Sequence, residues 1–141
     1  MTEELSFNIH LDQPFDQAID TLTAALKEEG FGVLTRIDVH ATLKEKLGAE
    51  FREYAILGVC NPPLAHRALS HMAEVGLMLP CNITVEADPE GGSIIRIADP
   101  DAFMKSGGFD QDPVLREVGG EARERLERVA EKVSGAVRQR S

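Results

Sequence analysis

Tyr54-Ala55-Ile56-Leu57-Gly58-Val59-Cys60, followed at once by Asn61-Pro62-Pro63, decides how the rest of the chain is read. The first seven residues are apolar at odd and even positions alike, which is the pattern of a central strand covered on both faces. Asn61 is a good helix cap and Pro62 fits a first helical position, so a helix opens there, with Ala65, Ala68, Leu69 and Met72 on one side and His66, Arg67, Ser70 and His71 on the other.

Toward the N-terminus, Ser6 to Leu11 alternates, placing Phe7, Ile9 and Leu11 on a core face and Asn8 and His10 on the reverse. Phe15, Ala18, Ile19, Leu22, Ala25 and Leu26 form a one-sided helical stripe that opens beside Pro14 and closes at Gly30. Phe31 to Ile37 reads as a strand with Phe31, Val33 and Ile37 on one face. Asp38 is placed to cap a short helix through Leu43 and Leu47 that ends at Gly48. The opening is therefore βαβα.

Toward the C-terminus, Leu77, Leu79, Cys81, Ile83 and Val85 alternate, so one strand, bent at Pro80, is expected to run to about Glu86 with Met78, Asn82 and Thr84 on its reverse. Asp88 to Gly92 turns it into Ser93–Ala98 as an antiparallel hairpin. Residues 105–111 read as a linker between a body, 1–104, and a helix, 112–140, within one domain of 141 residues. That helix carries Leu115, Val118, Ala122, Leu126, Val129, Val133 and Ala136 as an apolar stripe. Gly119-Gly120 costs about 1 kcal/mol per glycine relative to alanine, so a bend or break is expected there. The fold expected is α+β: a mixed sheet of about five strands, helices chiefly on one face, and a long C-terminal helix.

Two segments, Ile56 to Leu69 and Glu74 to Asn82, resemble the bacterial and archaeal family known as domain of unknown function 302. The resemblance extends to Gly30–Asp38, Thr42–Gly48 and Glu121–Val129, and so to nearly the whole chain. It implies a compact α+β domain that often self-associates, and it carries no biochemical activity with it. Gly119-Gly120 departs from the helix-favouring residues expected at that place.

The net charge is −9. Residues 112–141 hold seven basic and six acidic groups, leaving eight basic and eighteen acidic, a net of −10, in residues 1–111. Such a body opposes polyphosphate, so nucleic acid is not expected as a partner. Arg138 and Arg140 are the place to reconsider that exclusion. The acidic start Met1-Thr2-Glu3-Glu4, with no apolar signal core behind it, predicts a cytoplasmic protein, and the longest apolar runs are too short to span a membrane.

Cys60 sits where a strand meets a helix start, a position that can favour thiolate, but Pro62 and Pro63 remove amide donors and Asn61 takes up that of Leu64. Cys81 is in phase with core residues. The repeated grouping of Cys, Asn and Pro in Cys60-Asn61-Pro62 and Pro80-Cys81-Asn82 suggests that both thiols meet at one end of the sheet. His66 and His71 lie five apart and diverge on a helix, and Cys-x-x-Cys is absent, so no metal site or cofactor is expected. Glu28 and Glu29 read as a solvated face. The leading reading is a non-catalytic domain that binds a partner or small ligand, with Asn61, Asn82, His10, His66 and Arg67 as candidate contacts, and that forms a homodimer. The alternative is a redox or metal-assisted thiol activity at Cys60 with Cys81.

Overall fold

The computed structural model describes residues 5–140, with side chains for residues 5–135. The acidic start at Met1–Glu4, the Ala136 end of the apolar stripe and the side chains of Arg138 and Arg140 lie outside the described residues. In chain order the elements are β1 (Ser6–Leu11), α1 (Phe15–Glu28), β2 (Gly32–Asp38), α2 (Val39–Leu47), β3 (Tyr54–Cys60), α3 (Pro62–His71), a 3-10 helix (Ala73–Met78), β4 (Cys81–Ala87), β5 (Ser93–Ala98), α4 (Pro100–Ser106), a 3-10 turn (Phe109–Gln111) and α5 (Pro113–Arg140).

The sheet order is β1-β5-β4-β3-β2, and every neighbouring pair is antiparallel. The α+β class, the five strands and the long last helix stand as expected, but the sheet is not mixed. β1 and β2 do run the same way, as a βαβ opening requires, yet they occupy opposite edges, so no parallel ladder forms. Three later strands fill the gap between them.

One sheet face is covered. Ile9, Leu57, Val59, Ile83, Val85 and Ile95 meet Leu22 and Leu26 of α1 and Leu126, Val129 and Val133 of α5 in the main core. A second cluster, lying past the C-terminal end of β3, joins Leu64 and Ala68 of α3, Val75, Met104 of α4, and Leu115, Val118 and Ala122 of α5. The α5 stripe thus serves both clusters, and the helix runs unbroken through Gly119-Gly120. The reason lies in α4: a Cβ on Gly119 would stand 3.3 Å from Met104 Cγ, so glycine lets the two helices approach. Packing on both sides of the pair outweighs its poor helix propensity.

Ion pairs complete the docking. Arg128 reaches the Glu29 carboxylate at 3.0 Å and Lys132 reaches Glu28 at 2.7 Å. The Glu29 carbonyl accepts from Arg125 Nη1 and from Asn61 Nδ2, each at 3.2 Å. Glu28 and Glu29 are therefore anchors for α5 and not merely a solvated face. Cations there also offset two carboxylates at the negative end of the α1 dipole.

Three local expectations change. The register between β2 and β3 slips between Val33 and Thr35, a bulge that turns Ile37 away from the face shared by Phe31 and Val33 and leaves it 49% exposed. Asp38 precedes α2 without capping it; its carboxylate takes Arg36 Nε at 2.9 Å instead. The alternation before Cys81 belongs to the 3-10 helix and a cis Leu79–Pro80 bond, so Leu77 is 86% exposed and β4 begins only at Cys81. Residues 105–111 are likewise the end of α4 and a 3-10 turn, closed by hydrogen bonds, and not a bare linker.

The opposite sheet face stays largely open. Across its centre run Asn8, Arg96, Thr84, Ile56 and Ile37, one from each strand. Beside that row Glu86, only 4% exposed, is held between Arg52 and Arg96. Burial raises the carboxyl pKa, but the hydrogen bonds and charges of the two arginines outweigh it and hold Glu86 below the ordinary 4.5. A depressed folded pKa contributes stability that is complete above the ordinary value and lost as pH falls through the folded one. Glu86→Gln should therefore cost about 1–2 kcal/mol at neutral pH, allowing for two half-exposed arginines. Urea unfolding of the two proteins should converge as pH falls through the folded Glu86 pKa, below its ordinary 4.5; a pH-independent gap would contradict the ion-pair account.

Candidate functional site

The ends of β3 and β4 meet beside the second hydrophobic cluster. Val59 faces Cys81 in the ladder, and Cys60 follows Val59 as the chain turns into α3. Asn61 Oδ1 accepts from the Leu64 amide at 3.3 Å, the cap expected of it. Gly58 faces Asn82, and a Cβ on Gly58 would run into the Thr35 hydroxyl and the Pro80 ring, so only glycine admits proline at this corner.

Two neighbouring chambers open here. The inner one, about 40 Å³, is bounded by Cys60, Asn61, Cys81, Phe31, Leu64 and Val118 among others. The outer one, about 280 Å³, is bounded by Leu77, Met78, Pro80, Asn82, Ala98 and Phe103. Leu79, Cys81, Pro100 and Met104 belong to both walls. Sequence reading brought Cys60, Asn61, Cys81 and Asn82 to one place, and the structure keeps them there. It missed Pro100, Phe103 and Met104, which arrive from α4, a segment whose apolar residues gave no periodic signal.

The other candidate contacts lie elsewhere. His10 Nε2 stands 3.1 Å from Asp88 and from the Gly91 carbonyl, at the β4–β5 turn. Arg67 pairs with Glu117 at 2.9 Å, fastening α3 to α5. His66 is exposed and lines neither chamber. His71 pairs with Asp112 at 2.7 Å, and the Asp112 carboxylate, which also caps α5, is held below its ordinary pKa chiefly by that histidine.

The surroundings of the two thiols disfavour thiolate. Burial pushes Cys60 up, and burial together with Cys60 pushes Cys81 from the usual 9 to about 11. No lysine, arginine or histidine lines either chamber to favour thiolate. Among the described residues no three His, Cys, Asp or Glu side chains gather as a metal set.

The family model described as domain of unknown function DUF302 matches residues 7–133. The chain belongs to the DUF302 family. Its fold is also that of the crystal structure of an uncharacterized conserved DUF302 protein from Bacillus stearothermophilus, with a TM-score of 0.80 and 32% identity over 92% of this chain and 98% of that one. No curated protein matches this DUF302 chain. Among the described residues no helix is long and apolar enough to cross a membrane.

A thiol raised by two pH units carries about one hundredth of the thiolate at a given pH. In native protein around pH 8, Cys81 should thus react with Ellman's reagent about 100-fold more slowly than an exposed thiol, and both cysteines should titrate fast in guanidinium. Rapid native labelling of Cys81 would revive the nucleophile reading.

Proposed function

We propose that this DUF302 protein is a non-catalytic binding protein that takes a small molecule into the cleft beside Cys60 and Cys81 by burying apolar surface. The observation that carries the reading is the wall itself: methionine, leucine, proline and phenylalanine side chains enclose about 280 Å³ with one amide, that of Asn82, at the side. An apolar cavity of about 150 Å³ already holds a benzene ring, so the outer chamber has room for a larger guest. Leu77 and Phe103 stand exposed at its edge, where apolar surface otherwise has no partner. The raised thiols weigh against the alternative of a thiol activity, since neither is poised as a nucleophile.

The test is the fluorescence of N-phenyl-1-naphthylamine, a neutral apolar probe. Native protein should enhance it, and Ala98→Trp, which fills the outer chamber, should weaken binding by about tenfold or more, about 1.4 kcal/mol. Enhancement that survives Ala98→Trp in a folded variant would remove the cleft as the site.

Self-association is a second reading, favoured by the open sheet face. Five strands about 4.8 Å apart and six residues long make a plane of about 19 by 20 Å, to which flanking loops would add in reaching the roughly 800 Å² per partner of a stable complex. Ile37, Ile56 and Ile94 are only partly covered there. Arg52 and Arg96 there offset Glu86, and His10 faces Asp88, so the acidic charge of the chain is locally matched on this face. We therefore propose a homodimer closed on this face. Sedimentation should show a dimer that Ile56→Lys with Ile94→Lys converts to a folded monomer; a wild-type monomer at micromolar concentration, or a dimer indifferent to both lysines, would exclude it.

A further inference from the structure

The cleft also carries a selection rule. We infer that its ligand is an uncharged apolar molecule with at most one hydrogen-bonding group, of the kind of a medium-chain alcohol, and that carboxylate-bearing amphiphiles are excluded. This rests on the small-molecule reading of the cleft proposed above, and it names the chemistry of the guest.

The first ground is the lining. No Asp, Glu, Lys, Arg or His belongs to the wall of either chamber. An ion drawn into such a space loses its hydration and gains no partner, which is among the largest penalties available in protein binding.

The second ground concerns the helix starts. Two helices begin at the cleft, α3 behind the inner chamber and α4 at the wall shared by both, and helix starts are the usual places where backbone amides hold an anion. Neither is available. At α3, Pro62 and Pro63 carry no N–H, and the next amide, that of Leu64, is taken by Asn61 Oδ1. At α4, Pro100 carries none, and Asp99 Oδ1 accepts from Asp101 and Ala102 at 3.0 and 3.4 Å. Asp99 itself lines not the cleft but a neighbouring opening beside Leu5, Asp101 and Lys105, where its carboxylate pairs with Arg123.

A cation fares no better. The wall offers it no carboxylate, and Asp99, next to Pro100 in sequence, is matched by Arg123 at 3.2 Å. What remains is Asn82, whose exposed amide both donates and accepts and so suits a hydroxyl or carbonyl at the outer end of an apolar guest.

Competition against N-phenyl-1-naphthylamine by decanol and by decanoate, equal in chain length and measured above the decanoate pKa, tests the rule. Decanol should displace the probe at least about tenfold more effectively. Phe103→Lys, at a partly exposed position on the edge, should bring decanoate to parity or beyond by supplying the missing charge; Leu77→Lys, at an exposed position on the same wall, does the same if the first variant fails to fold. Equal or stronger displacement by decanoate from native protein would overturn the rule while leaving the cleft a ligand site. Failure of both the probe and decanol to bind would overturn the rule together with the reading on which it rests.

Discussion

A helix of fourteen residues rises about 21 Å, and the outer strands of a five-stranded sheet lie about 19 Å apart. With the residues that flank it, α1 carries the chain across the sheet as well as back along it, from the end of β1 to the start of β2 at the far edge, and the rest of the architecture follows. Because β2 is delivered to the far edge, the remaining strands have to fill inward, β3 beside β2, then β4, then β5 against β1. Each step is a reversal, so every ladder is antiparallel. The end of α1 is left projecting beside the start of α3, and the structure fixes it there through the Glu29 carbonyl, which accepts from Asn61 and Arg125, and the Glu29 carboxylate, held below its ordinary pKa chiefly by its hydrogen bond from Arg128. One residue thereby ties α1, α3 and α5 at the corner where the cleft opens.

Much of this was legible because it depends on local period. The doubly apolar run of β3, the stripe of α1, the β4–β5 hairpin and the buried positions of α5 are all statements about which side chains share a face. What depended on a single inserted residue or on a distant partner was not legible. Leu34 gives no sign in composition that it bulges, yet the bulge decides where Ile37 points. Leu77 and Leu79 continue an alternating pattern by coincidence, since a 3-10 helix and the turn at Pro80 use them for other ends. Gly119 looked like a weakness of α5 until Met104 arrived against it, and a helix propensity cannot see a neighbour.

The candidate site divides along the same line. Cys60-Asn61 and Cys81-Asn82 could be brought together from sequence because each stands at a strand end, and ends of neighbouring strands meet. His10, His66 and Arg67 do lie off the core faces of their strand and helix, as the periods imply, but His10 pairs with Asp88, Arg67 pairs with Glu117 and His66 lies open to solvent, all away from the cleft. The residues that give the cleft its character, Met104, Phe103 and Pro100, are ordinary apolar side chains on a seven-residue helix. Only the topology, which carries the chain from β5 straight back over the β3–β4 corner, makes them a wall.

A cleft built in this way selects by exclusion. Its back is β4, the middle strand of the sheet, hydrogen-bonded on both sides, and its front is α4 with the 3-10 segment at Leu77 and Met78. Apolar walls distinguish guests by volume, and one methylene in such a pocket is worth only about 1–3 kcal/mol. A buried charge is penalised far more heavily. The sharpest discrimination open to this site is accordingly between charged and uncharged molecules, with chain length a weaker second. Proline at both helix starts is what makes that discrimination hold, because those are the positions where backbone amides would otherwise have welcomed an anion.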